Sequence, residues 1–197
     1  MKKIIGITGG IGSGKTTVAN FISALGFPVY NSDYWAKELV NIDPKIKSEI
    51  ISLLGNDAYD FQGQYNRKWV SEKVFNHAEL LKQLNHIIHP AVALHFTQWV
   101  EQQNSNMVFK ETALLFELKL HLQCFKTILV TAEDNIRIKR VMDRDNKTYR
   151  EVEAILQKQM PEKEKIKKAD FIIENNSNLT NLEKSTHKVM EELKQLQ

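Results

Sequence analysis

The densest chemistry in the sequence lies in Gly9-Gly10-Ile11-Gly12-Ser13-Gly14-Lys15-Thr16. The run fits G-x-x-x-x-G-K-[ST], a spacing that wraps backbone N–H groups around phosphate oxygens. Glycine lets the chain turn tightly with no Cβ in the way. A helix beginning at the end of the loop would add its positive N-terminal pole. Lys15 can reach the outer phosphates. The Thr16 hydroxyl suits Mg²⁺, which takes few protein ligands and otherwise uses phosphate oxygens and water. A plain glycine-rich turn would explain one or two of these glycines, but not Lys and then Thr at the required positions. The expected phosphate-binding set is Gly10, Ile11, Gly12, Ser13, Gly14, Lys15, Thr16 and Thr17.

Other residues carry chemistry with a structural alternative beside it. Asp33 follows a short apolar run and could orient or deprotonate an attacking hydroxyl; equally, Ser32 or Asp33 could simply cap the next helix. Arg137, Arg140, Arg144 and Lys147 recur at spacings of 3, 4 and 3, one face of a helix. Residues 137–168 hold 11 Lys and Arg against 6 Asp and Glu, a local excess of +5. That face could be a lid closing over transferring phosphates, with Arg140 and Arg144 ahead of Arg137. It could also be a solvated surface helix with Asp143 and Asp145 as partners. Glu111 could help hold Mg²⁺ through water or be a plain glutamate. His89-Pro90, the apolar Leu114-Leu115-Phe116 with Glu117, and Asn175-Asn176 could border a ligand, or be a helix interruption, core and a turn.

These residues need elements to position them. Buried strands are expected at 3–8, 27–30, 107–109, 127–131 and 171–173. Between them run helical stripes such as Val18, Phe21, Ile22 and Leu25, spaced i, i+3, i+4, i+7. Further helices are expected at 35–42, 44–54, 133–144, 149–159 and 162–169, with a closing helix through Leu182, Val189 and Leu193. Residues 55–66 read as a loop. Residues 67–103 read as helical, broken or bent near His89-Pro90. Strands alternating with helices predict an α/β fold with a five-stranded parallel sheet flanked by helices. In such sheets ligands bind beyond the carboxyl ends of the strands.

Composition narrows the classes. The chain has 197 residues, a net charge of +3 and 42% hydrophobic residues, against a disordered chain. A single cysteine, Cys124, excludes an internal disulfide framework and a cysteine-based zinc cluster, and fits a reducing, cytoplasmic setting. No apolar run approaches the roughly 18–20 residues of a membrane-spanning helix. The apolar start is too short for a signal-peptide core. No nucleic-acid-binding pattern is present.

Taken in order, the motifs resemble those of the dephospho-coenzyme A kinases, which are P-loop kinases. The resemblance rests on residues 6–19, Ser32-Asp33, residues 36–40, Arg67 after Gly63, and His89-Pro90. It continues through residues 114–117, Lys139-Arg140, Arg144-Asp145, Arg150-Glu151, Gln159, Ala169-Asp170, Ile172-Ile173 and Asn175. It implies a three-layer P-loop fold with a nucleotide-binding core (1–33, 107–133, 169–197), a helical acceptor lobe (34–106) and a lid (134–168). It implies transfer of phosphate from ATP, with Mg²⁺, to the ribose 3′-hydroxyl of dephospho-coenzyme A. Asp33 then matches the residue that activates the hydroxyl, Lys15 and Thr16 the phosphate and magnesium positions, and Arg140 a lid arginine with Arg144 beside it. Asn175 joins the ATP contacts. Acceptor contacts are expected from Thr8, Asp33, His89, Leu114, Leu115, Phe116 and Glu117. The expected partners are these small molecules, with no nucleic acid and no membrane, the chain acting as a monomer or weak homo-oligomer.

Two positions depart from the family pattern. Asn31-Ser32-Asp33 stands where Asp-x-Asp is usual, and Glu111-Thr112-Ala113 where Asp-x-Pro is frequent. Other functions compatible with the loop are another small-molecule kinase, or a nucleotide switch of the GTPase kind. The switch usually reads guanine with Asn-Lys-x-Asp, and the nearest string here, Asn146-Lys147-Thr148-Tyr149, lacks the aspartate.

Overall fold

Ile4, Ile5 and Ile7 favour extended backbone, and Lys3–Thr8 forms β1, ending where the glycines begin. The computed structural model describes residues 2–75 and 77–196. By contact density the chain divides into two units, Met1–Asn31 with Gln103–Gln197, and Ser32–Gln102.

The first unit holds five parallel strands: β1, β2 (Val29–Asn31), β3 (Met107–Glu111), β4 (Lys126–Thr131) and β5 (Phe171–Glu174), in the order β2-β3-β1-β4-β5. β1 is central and its side chains alternate between faces. Ile5 and Ile7 pack with Val18, Ala19 and Ile22 of α1 (Lys15–Ala24) and with Leu182, Met190 and Leu193 of α9 (Leu179–Gln195). Each large side chain fully buried there contributes about 1.5–3 kcal/mol. On the other face, a Cβ at Gly6 would lie 2.7 Å from Leu115 and 3.1 Å from Cys124, so the segment after β3 covers that side. Three further helices, α6 (Asp134–Asp145), α7 (Tyr149–Gln157) and α8 (Glu162–Lys168), lie between β4 and β5. Ile138, Val141 and Val152 form a small core of their own, against which Ile11 of the glycine loop packs.

β4 is tied to the start of β5 by Asp170, which accepts from the Thr127 amide (2.9 Å), the Thr127 hydroxyl (2.8 Å) and the Lys126 ammonium (2.8 Å). Partial burial works to raise the Asp170 pKa, but hydrogen bonds from Lys126 and Thr127 outweigh it and hold it below the usual carboxylate range. A depressed folded pKa stabilises above the unfolded value of about 4 and is lost as pH falls through the folded value. Asp170→Ala should therefore lower the melting temperature by roughly 2–4 °C at pH 7. That gap should close as melts are repeated below about pH 4.

The second unit is helical: α2 (Ser32–Ile42), α3 (Pro44–Leu54), α4 (Arg67–Phe75) and α5 (Ala78–Gln102). Asp43 caps α3 by accepting from the Lys45 and Ile46 amides, with Pro44 in the first turn. Of the break or bend expected near His89-Pro90, the break is corrected: α5 runs unbroken through Pro90. An internal proline costs about 3 kcal/mol. Leu84, Val92 and Phe96 are buried on both sides of it, and their packing outweighs that local cost.

Candidate active site

The site begins where β1 runs out. Gly14 adopts φ +93° and heads α1 without a side-chain cap, and a helix N-terminus directs its first-turn N–H groups toward an anion. Lys15 and Thr16 occupy that turn, as the loop spacing requires. Across from them, β3 ends on Glu111, in register with Ile7 of β1 and Asn31 of β2.

Glu111 is 2% exposed, and its charge is compensated from several sides. The Thr16 hydroxyl donates to Oε1 at 2.5 Å, the Asn31 amide donates to Oε2 at 2.8 Å, and Lys15 Nζ lies 3.7 Å from Oε1. A buried carboxylate persists only when paired and hydrogen-bonded in this way. Asn31→Asp would replace the donor with a second carboxylate beside Oε2. It should cost about 1–3 kcal/mol, read as a lowered denaturation midpoint at pH 7.

The loop's extra glycines answer to long-range contacts. A Cβ at Gly10 would fall 2.0 Å from Arg137 NH1, and one at Gly12, where φ is +78°, would fall 2.4 Å from the Arg137 carbonyl oxygen. Arg137 is 5% exposed and pairs with Asp134 (2.6 Å) and Glu162 (3.5 Å). Sequence reasoning ranked it behind Arg140 and Arg144, yet it is the arginine packed on the loop. The signal that could have found it is the pair of glycines beyond the general motif. The Ile11 amide donates to Gln159 Oε1 at 3.1 Å.

Asn175 lies just past β5, nearly buried, and its side-chain amide donates to the Ser13 carbonyl at 2.8 Å. A Cβ at Gly14 would lie 2.3 Å from that amide nitrogen. Arg140 in turn donates to Asn175 Oδ1 at 3.3 Å, so Arg140 reaches the loop through Asn175. Arg144 is 64% exposed and forms a two-pronged pair with Asp145, 2.7 and 2.8 Å.

The residues expected to contact an acceptor are placed as follows. Thr8 is buried, its hydroxyl donating to the Ala113 carbonyl at 3.5 Å. Leu115 and Phe116 are core side chains, Phe116 edge-on to His121, and Leu114 reaches the surface. Glu117 accepts from the Met160 amide at 3.1 Å and lies 3.1 Å from the ammonium of fully buried Lys165. Asp33 stands in the first turn of α2, two residues beyond Asn31, and belongs to the second unit. His89 lies on α5 of that unit, and burial and then nearby His86 pull its pKa below the ordinary value.

The dephospho-CoA kinase profile matches residues 3–181. The chain belongs to the dephospho-CoA kinase family. A dephospho-CoA kinase of Fusobacterium nucleatum is 38% identical over 188 residues, covering 95% of this chain and 97% of the relative. Among solved structures, a Thermus thermophilus protein is 35% identical with a TM-score of 0.85, and a Campylobacter jejuni dephospho-CoA kinase is 27% identical with a TM-score of 0.72. Both alignments cover 98% of each chain. Against the family pattern, the two departures meet in space: the Asn31 amide donates to the Glu111 carboxylate. An amide at 31 is the partner that a long, buried glutamate at 111 needs.

Proposed function

We propose that this chain transfers the terminal phosphoryl group of ATP to the ribose 3′-hydroxyl of dephospho-coenzyme A, giving coenzyme A and ADP. The observation that carries this reading is the phosphate loop presenting Lys15 and Thr16 beside buried Glu111, in a chain whose family match spans residues 3–181. The loop from Gly10 through Thr17 wraps the phosphates, with the Ile11 amide engaged by Gln159 instead, and Lys15 offsets charge on the outer phosphates. Arg140 lies next to the loop through Asn175 and adds positive charge where the transferring group gathers negative charge. Asp33 accepts the 3′-hydroxyl proton as the new O–P bond forms. The bond from that phosphorus to the bridging oxygen breaks, and ADP leaves with the electron pair. Most of the acceleration comes from positioning and electrostatics.

Residues 34–106 serve as the acceptor lobe and 134–168 as the lid in this reading. The residues also fit Mg²⁺. Thr16 Oγ1 and the Glu111 carboxylate are adjacent hard oxygen donors. Mg²⁺ commonly takes one or two protein oxygens and completes its shell with phosphate oxygens and water. When bound, Mg²⁺ neutralises charge on the phosphate oxygens. Burial pushes the Cys124 thiol up to about 11, and the use of a single cysteine suits a reducing, cytoplasmic setting. Among the described residues no helix is long and apolar enough to cross a membrane.

An ADP-release assay across hydroxyl acceptors separates this reading from another small-molecule kinase. Dephospho-coenzyme A should support turnover at least about 100-fold faster than shikimate or nucleosides, since sites built to hydrogen-bond their substrate reject analogues strongly. Equal or faster turnover with another acceptor would overturn the assignment.

A further inference from the structure

Gln159 touches the loop at a point that the mechanism above leaves unused. Its Oε1 accepts from the Ile11 amide at 3.1 Å and would lie 3.4 Å from a Cβ at Gly10. A backbone N–H can only donate, so the oxygen must face it and the carboxamide cannot be flipped. Nε2, with its two donor hydrogens, is thereby held one carboxamide width from the loop's rim. Gln159 is partly buried and lines an open cavity together with Arg137, Met160 and Glu162.

The surroundings keep the side chain in place. The next residue, Met160, donates its amide to Glu117, which is itself paired with fully buried Lys165. Pro161 follows and sets the backbone before α8. On the other side stands Arg137, packed on Gly10 and Gly12 and paired with Glu162 at the head of α8. A neutral double donor is thus fixed on the Gly10-Ile11 rim, in the first half of the loop, while Lys15 and Thr16 serve the second half. The loop's amides hold the inner phosphates of a nucleotide. A donor at the rim is placed for what projects beyond them.

We propose that Gln159 donates from Nε2 to the terminal phosphoryl group of the bound nucleotide, and so distinguishes ATP from ADP. The proposal rests on the kinase reading above. It makes Gln159 a phosphate contact supplied by the segment that closes the lid region, with the Ile11 amide as its anchor. Its oxygen would then report on the loop and its nitrogen on the phosphate.

Glutamate and leucine at this position separate contact from tether. Gln159→Glu keeps an acceptor for the Ile11 amide but turns the donor into a negative oxygen. Gln159→Leu loses both. The probes are ADP and the β,γ-imido analogue of ATP, measured by calorimetry, with melting temperatures as the folding control. The expected result is that Gln159→Glu weakens the ATP analogue about 10- to 100-fold and more than Gln159→Leu does. ADP affinity in both variants should stay within about threefold of wild type. A tether that only restrains Ile11 gives the reverse order, glutamate milder than leucine, and overturns the proposal. Equal losses for ADP and the ATP analogue overturn it as well. Wild-type protein that binds neither nucleotide overturns the kinase reading and this proposal together, whereas tight wild-type binding with the reversed order overturns this proposal alone.

Discussion

Asp33→Asn is expected to lower kcat by roughly 100- to 10,000-fold, the range that a positioned general base contributes. The amide is isosteric, so the α2 first turn in which Asp33 sits should keep its shape. What disappears, in the proposed mechanism, is an acceptor for the hydroxyl proton. Affinity for ADP and for the ATP analogue should stay within about twofold, because the residues proposed to hold phosphate are on the loop. Asn31 already stands where the family pattern has its first acid, and it is engaged as a donor to Glu111. No second carboxylate in Asn31-Ser32-Asp33 can take over the role. Steady-state kinetics beside calorimetry check this, and a kcat within threefold of wild type would remove Asp33 from the mechanism.

Gly12→Ala is expected to damage both folding and binding. The new Cβ would meet the Arg137 carbonyl oxygen at 2.4 Å, and the backbone there has φ +78°. The left-handed conformation costs an alanine about 1–2 kcal/mol. The clash is with backbone, so α6 or the loop must move, at about 1–3 kcal/mol more. For a chain of this size the sum corresponds to a melting temperature lower by roughly 10 °C. Moving the loop also misplaces the Ile11 amide and the α1 first turn. Nucleotide affinity should therefore fall at least about 100-fold even at temperatures where the variant remains folded. By contrast, nothing lies within 4 Å of a Cβ at Gly26, so Gly26→Ala, which shares a positive φ, should show the backbone cost without the loss of binding. Melting curves and nucleotide titrations of the two variants side by side make the comparison.

Much of this molecule was legible along the chain because its signals are local. The isoleucines of β1, the glycine spacing, and the stripe Val18, Ile22 each lie within a few residues of what they specify. The strand ends could be placed well enough to put Glu111 beside the loop, where it meets Thr16. What the sequence did not show is which distant residues meet. Thr16 and Glu111 are 95 positions apart, and Ile11 and Gln159 are 148 apart. Arg137 looked like one member of an exposed stripe until its packing against Gly10 and Gly12 set it apart from Arg144, which pairs with its own neighbour. Pro90 is a strong local signal that tertiary burial overrides. Leu115 and Phe116 share the same lesson: an apolar triplet near a strand end does not reveal which of its side chains face inward.

The most direct test of the central claim is the position of the transferred phosphate. Purified protein incubated with ATP, Mg²⁺ and dephospho-coenzyme A should yield a product one phosphoryl group heavier. Phosphorus NMR of that product should show a new monoester coupled to the ribose 3′ proton, in step with ADP release. A folded protein that forms no such product, or one that places the phosphate at the ribose 2′ position, would contradict the account.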